Sequence, residues 1–80
     1  MFTVYVLQSI KTGKYYIGST NNLERRLKEH NSNKTRSLKN RGPFEVRFQE
    51  VYNTLSEAIK RELKIKSYKG GNEFKKLMRL

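Results

Sequence analysis

The stretch FTVYVLQSIKTGKYYIGSTNNLERRLKEH, residues 2–30, decides how this chain folds. Residues 2–7 are rich in the β-branched and aromatic side chains that suit a strand. Val4 and Val6 point to one face, Thr3, Tyr5 and Leu7 to the other. Lys11-Thr12-Gly13-Lys14 is turn-like, and residues 15–18 supply the return strand of a hairpin. In that strand Tyr16 and Gly18 share a face, and Tyr15 and Ile17 take the opposite one. Thr20-Asn21-Asn22 then punctuates the chain. Asn21, with Glu24 three residues later, has the form of a helix N-cap with a reaching acid. The helix runs to about His30. At ~100° per residue, Leu23, Arg26, Leu27 and His30 fall on one side, with Arg25 nearly opposite and therefore in solvent.

Downstream, residues 31–43 are polar and basic and end in Gly42-Pro43, which predicts a loop. Phe44, Val46 and Phe48 alternate with Glu45, Arg47 and Gln49, the pattern of a half-buried strand reaching about Tyr52. Thr54 and Glu57 form a second capping box. The helix it opens carries Leu55, Ala58 and Ile59 as its apolar stripe, and Glu62 falls within that stripe. Gly70-Gly71 breaks the chain, and a short amphipathic helix with Phe74, Leu77 and Met78 follows. The order is β-β-α-β-α-α. It predicts an α+β fold, a three-stranded, mostly antiparallel sheet flanked by helices, with residues 1–80 as a single domain.

Composition narrows the function. Eighteen Lys and Arg stand against seven Asp and Glu, giving a net charge of +11 on 80 residues. Such an excess favours polyanionic partners, nucleic acid first. The basic residues are spread over strands, loops and helices, which argues against a membrane-surface helix. No cysteine is present, which excludes disulfides and thiolate metal sites and fits a reducing, cytoplasmic location, nucleoid association included. Met1 leads directly into a strand-like run, so no secretory signal is expected.

Few residues suit chemistry. Tyr5 and Tyr16 lie on adjacent strands and can meet, although tyrosine is also an ordinary strand residue with a polar tip. Arg26 can reach a phosphate or simply snorkel from the edge of its apolar stripe. His30, the one histidine, suits proton transfer or a charge at the negative end of the helix. Glu62 is costly to bury unless paired. Lys66, one turn on, is a ready partner, and a hard cation is the functional alternative, completed by water and substrate oxygens. Lys34, Arg36, Lys39 and Arg41 form a basic segment suited to phosphate contacts. Thiol, P-loop, HExxH and paired-carboxylate chemistries have no residues to carry them.

Read together, Thr3-Val4-Tyr5, Tyr16-Ile17-Gly18, the helix with Arg26 and His30, and Glu57-Ala58-Ile59-Lys60-Arg61-Glu62 resemble the GIY-YIG endonuclease superfamily, in particular its small stand-alone members. The resemblance implies that Tyr5 and Tyr16 line the active site and that Arg26 contacts the scissile phosphate. It places a Tyr or His that assists proton handling at His30, and a single Mg²⁺ or Mn²⁺ on Glu62. It implies DNA in preference to RNA as substrate, cut with structure selectivity or weak specificity in repair or recombination, and a protein partner wherever targeting is needed. Asn72 is the candidate for the family's late asparagine. Two departures stand out: Thr3 replaces the glycine of the first signature, and Ser19 stands where the excision-repair branch carries lysine. The alternative is a basic nucleic-acid-binding module that keeps the fold without catalysis.

Overall fold

The computed structural model describes residues 1–31 and 43–79. Its elements are β1 (Phe2–Ser9), β2 (Tyr15–Thr20), α1 (Leu23–Asn31), β3 (Phe44–Tyr52), α2 (Leu55–Ser67) and α3 (Asn72–Met78), in the β-β-α-β-α-α order expected. The sheet is antiparallel throughout, with strand order β2-β1-β3. β1 outlasts its predicted end and runs to Ser9, whose buried side chain organises the turn: its Oγ accepts from the Thr12 amide at 3.0 Å, while its carbonyl accepts from Gly13 at 2.8 Å. Gly13 has φ +78°, the left-handed region that the turn needs and that glycine enters without strain.

The alternation in β1 divides the core in two. Val4 and Val6 pack with Ala58, Ile65, Phe74 and Met78 beneath α2 and α3. Tyr5 and Leu7 pack with Phe44 on the other face, where Leu23 and Leu27 of α1 cover them. Each fully buried Val, Leu or Ile contributes roughly 1.5–3 kcal/mol relative to exposure, so both thin layers matter in so small a chain.

β3 departs from the simple alternation. Val6 pairs with Phe48 but Leu7 pairs with Val46, which leaves Arg47 as a bulge. The extra residue reverses the facing: Phe44 and Val46 bury toward α1, and Phe48 buries toward α2 and α3. One strand therefore feeds aromatic side chains to both cores.

Two further expectations are corrected. α1 is capped by Asn22, not Asn21: Asn22 Oδ1 accepts from the Arg25 amide at 3.0 Å, and Thr20 Oγ1 accepts from the Asn22 amide at 3.2 Å and so fixes the cap. On α2, Leu55 and Ile59 are largely exposed, as is Leu63, while Ala58 and Ile65 are buried and Arg61 and Glu62 half-buried. The buried face is thus 58/61/62/65, spaced i, i+3, i+4, i+7. The Thr54–Glu57 capping box forms as expected, with Thr54 accepting from the Glu57 amide at 3.2 Å and donating to its carboxylate at 2.9 Å. Among the described residues no helix is long and apolar enough to cross a membrane.

Candidate active site

Tyr5 occupies the central strand with Gly18 as its Cα partner on one side and Gln49 on the other. Its ring lies across the glycine. A Cβ built on Gly18 would fall 2.5 Å from the phenolic oxygen and 2.8 Å from Cζ, so any side chain there would displace the ring. Because β2 is an edge strand, this notch carries the hydroxyl toward the margin of the sheet. Burial pushes the phenol above its ordinary value of 10.0, opposed by the Arg26 cation on α1 and reinforced by the Glu62 carboxylate on α2. The two helices lie on opposite faces of the sheet. One hydroxyl therefore feels a cation from one side and a carboxylate from the other.

On α1 the phase separates the neighbouring arginines as expected. Arg25 keeps 63% of its side chain exposed against 42% for Arg26, and both approach Glu29, at 3.8 and 3.7 Å. Exposed pairs of this kind are worth little, about 0–1 kcal/mol, so Arg26 remains available to an anion. His30 is buried at the end of the helix, and its pKa is lowered from 6.5, first by burial and then by Arg26, against the pull of Glu29. It is therefore neutral at pH 7, and it does not act as the positive charge that complements a helix C-terminus. Phe44 orders the neighbourhood: its ring meets Tyr16 edge-on at 5.3 Å and His30 at 6.1 Å. Its amide donates to Asn31 Oδ1 at 2.7 Å, which ties the end of α1 to β3.

Glu62 belongs to the buried face of α2 with only 17% of its side chain exposed. The expected Lys66 partner is present, donating to Glu62 Oε2 at 2.7 Å from a half-exposed position. Its neighbour Arg61 is tied to the sheet. Arg61 donates to Glu50 of β3 at 2.8 Å, and its guanidinium stands 5.9 Å above the Phe48 ring. Tyr52 donates to the same Glu50 oxygen at 2.9 Å.

Tyr5, Arg26 and Glu62 are thus brought into one electrostatic neighbourhood, with His30 joined to it through Arg26 and Tyr16 joined to His30 across Phe44. Asn72 is exposed at the first turn of α3, and among the described residues no hydrogen bond or ion pair ties it to this group. Lys34, Arg36, Lys39 and Arg41 lie outside the described residues. The sequence reading missed Phe44 as the ring that orients Tyr16 and His30. Its alternation with charged residues marked it as core and gave no sign of that role.

Residues 1–75 match the GIY-YIG catalytic domain. The chain belongs to the GIY-YIG family. This family is one of nucleases acting on nucleic acid, which generally use a divalent cation. Similar small GIY-YIG proteins include a UPF0213 protein of Staphylococcus saprophyticus, 35% identical over 66 residues that span 81% of this chain and 79% of that one. A UPF0213 protein of Oceanobacillus iheyensis is 41% identical over 64 residues, covering 79% and 73% of the two chains. The solution NMR structure of a UPF0213 protein from Bacillus halodurans shares the fold with a TM-score of 0.50 at 31% identity, covering 91% of this chain and 90% of that one.

The donor set suits the cation that GIY-YIG nucleases use. Among the described residues no group of three or more His, Cys, Asp or Glu side chains could hold a metal. Glu62 is a single, mostly buried carboxylate, an oxygen donor. That suits a hard cation that keeps several waters and takes further oxygens from a phosphate.

Proposed function

We propose that this chain, as a single domain over residues 1–80, is an endonuclease that hydrolyses phosphodiester bonds in DNA by in-line attack of water, with structure selectivity or weak sequence preference and a role in repair or recombination. The observation that carries this reading is the Tyr5 hydroxyl, laid over Gly18 and acted on by Arg26 from one helix and Glu62 from the other.

In this reading Arg26 binds the scissile phosphate, exchanging its weak contact with Glu29 for a charge-assisted fork to the phosphate oxygens. Its charge stabilises the crowded anionic transition state, where positioning and electrostatics dominate. Glu62 would hold a single Mg²⁺ or Mn²⁺, releasing Lys66 to solvent. Once bound, the cation supplies stabilisation of negative charge on the phosphate and on the departing 3′ oxygen. Tyr5 is fully protonated at neutral pH, because burial holds its phenol above 10.0. It therefore orients the attacking water and relays a proton to solvent in preference to serving as a resting tyrosinate. Neutral His30, in the last turn of α1, can accept a proton. Tyr16, braced edge-on by Phe44, positions the substrate.

A non-catalytic binding module is favoured by one observation, the 2.7 Å Lys66–Glu62 contact that already neutralises the carboxylate. The two readings separate in a cleavage assay on a panel of branched, flapped and linear DNAs with and without Mg²⁺. A nuclease cuts at least one substrate only with the cation, and Glu62→Ala abolishes and Arg26→Ala strongly slows cutting, both retaining binding. Equal cleavage by wild type and Glu62→Ala would assign the activity to a contaminant. Binding without cleavage by the wild type would favour the module.

A further inference from the structure

The row Gly18–Tyr5–Gln49 crosses the sheet on the α1 side and ends at the free edge of β3. Around that edge runs a groove of about 490 Å³. Gln49 lines it, one strand from Tyr5. Arg47, Lys76 and Arg79 supply its charges, and Phe48, Leu77 and Met78 its apolar lining. Among the described residues its walls carry three cations and no carboxylate.

The groove is a product of the bulge. Directly opposed residues in antiparallel strands face the same way, so Gln49 shares the face of Tyr5 while Phe48 turns beneath α3. Arg47, left out of register between Phe48 and Val46, stands at the rim where the two faces meet. On the other wall α3 is capped by Arg79, which adopts φ 60° and closes the helix by donating its amide to the Lys75 and Lys76 carbonyls. That cap satisfies two of the helix-end carbonyls. Contacts of Lys76 with Glu73 at 3.8 Å and of Arg47 with Glu45 at 3.4 Å are exposed pairs, weak enough for a polyanion to displace.

We propose that this groove binds an unpaired nucleic-acid strand flanking the bond held at Tyr5, with Arg47, Lys76 and Arg79 on its phosphates and the part-exposed Phe48 and Leu77 against its sugars and bases. The proposal deepens the nuclease reading, from which the choice of ligand follows. Charge complementarity selects a polyanion, and the apolar lining selects an unpaired strand, because a duplex turns its bases inward and offers only its backbone. The distance is suitable. From the notch at Gly18 to the rim of β3 is about two strand spacings, ~10 Å, so the groove receives the backbone a few nucleotides from the cleaved bond.

The test is fluorescence anisotropy in EDTA, which removes cleavage from the measurement. It uses a blunt duplex and the same duplex with a single-stranded extension, over a range of salt. The wild type should bind the extended duplex about tenfold more tightly. Arg47→Gln/Lys76→Gln/Arg79→Gln should erase that preference and lower the slope of log K against log salt by about 2, at ~0.7 per lost single-strand phosphate contact. Lys76→Gln alone, at an exposed helical position, should give part of the same loss. An unchanged slope, equal weakening on both DNAs, or displacement by polyglutamate as readily as by an oligonucleotide of equal charge would each overturn the proposal. Its failure is distinct from failure of the nuclease reading: a chain that prefers the extended duplex but cuts nothing keeps the groove and loses the nuclease. One that cuts with the same KM after the triple substitution keeps the nuclease and loses the groove.

Discussion

The two faces of the sheet are built from one strand and do different work. Toward α2 and α3, β1 presents Val4 and Val6 to a layer of Ala58, Ile65, Phe74 and Met78. Toward α1 it presents Tyr5 and Leu7, and the buried residues there include Thr20 and His30. Strand alternation in β1 buries Val4 and Val6 on one side, and Leu7 with the polar-tipped Tyr5 on the other. Chemistry is thereby concentrated on one face, while the other face supplies cohesion and sends a single carboxylate, Glu62, to the shared margin.

The sharpest way to break this division is to exchange the expected effects. Ile65→Ala removes a fully buried side chain from the cohesive face. It should lower unfolding free energy by about 2–5 kcal/mol, read from denaturant midpoints, with cleavage per folded molecule retained. Arg26→Ala should do the reverse. Its exposed pairing with Glu29 predicts a stability change of no more than about 1 kcal/mol, while removal of a charge from the phosphate site should slow cleavage by about 10²–10³-fold. If Arg26→Ala unfolds the protein, or Ile65→Ala alone abolishes turnover of the folded fraction, the division is wrong.

Gly18→Ala tests the contact that seats the Tyr5 ring on the α1 face. The added methyl meets the Tyr5 ring, so the cost should be about 1–3 kcal/mol of overpacking. In a double-mutant cycle that cost should shrink when Tyr5 is also Ala. Additive effects would mean that the ring does not occupy the notch.

The smallest effect is a pH dependence. His30 has a folded pKa below its ordinary 6.5, because burial and Arg26 disfavour its charged form. The stability linked to it is full above the unfolded value of ~6.5 and is lost as pH falls through the folded value, since the unfolded chain binds the proton more readily. His30→Phe should flatten the fall in denaturant midpoint between pH 7 and 5, leaving the carboxylate-driven loss at lower pH. An unchanged slope would show that His30 already titrates normally.

Most of the fold was legible because local signals agreed. Alternation set the faces of β1 and β2, and Thr54 with Glu57 marked the start of α2. The misses have physical causes. Asn21 and Asn22 are identical in type, and only the Thr20 hydroxyl, folded back onto the Asn22 amide, selects between them. The bulge at Arg47 leaves no trace in a sequence that alternates evenly from Phe44 to Gln49. α2 offered two helical faces. Leu55, Ile59 and Leu63 form the more apolar one, yet it is the other face that turns inward, with Ala58 and Ile65 buried and Arg61 meeting Glu50 on the same side of the sheet. The grouping of Tyr5, Arg26 and Glu62 was reachable through family resemblance, whereas the approach of two helices from opposite faces is a tertiary fact.

The notch at Gly18 also bears on what happens when the fold is damaged. The constellation needs α1 and α2 docked at once, each on its own side of a thin sheet. A chain that is clipped, half-folded or frayed along either helix keeps no weaker version of the arrangement. It loses the cation-bearing arm or the carboxylate-bearing arm outright. The chemistry proposed for this site is thereby conditional on both helices being docked.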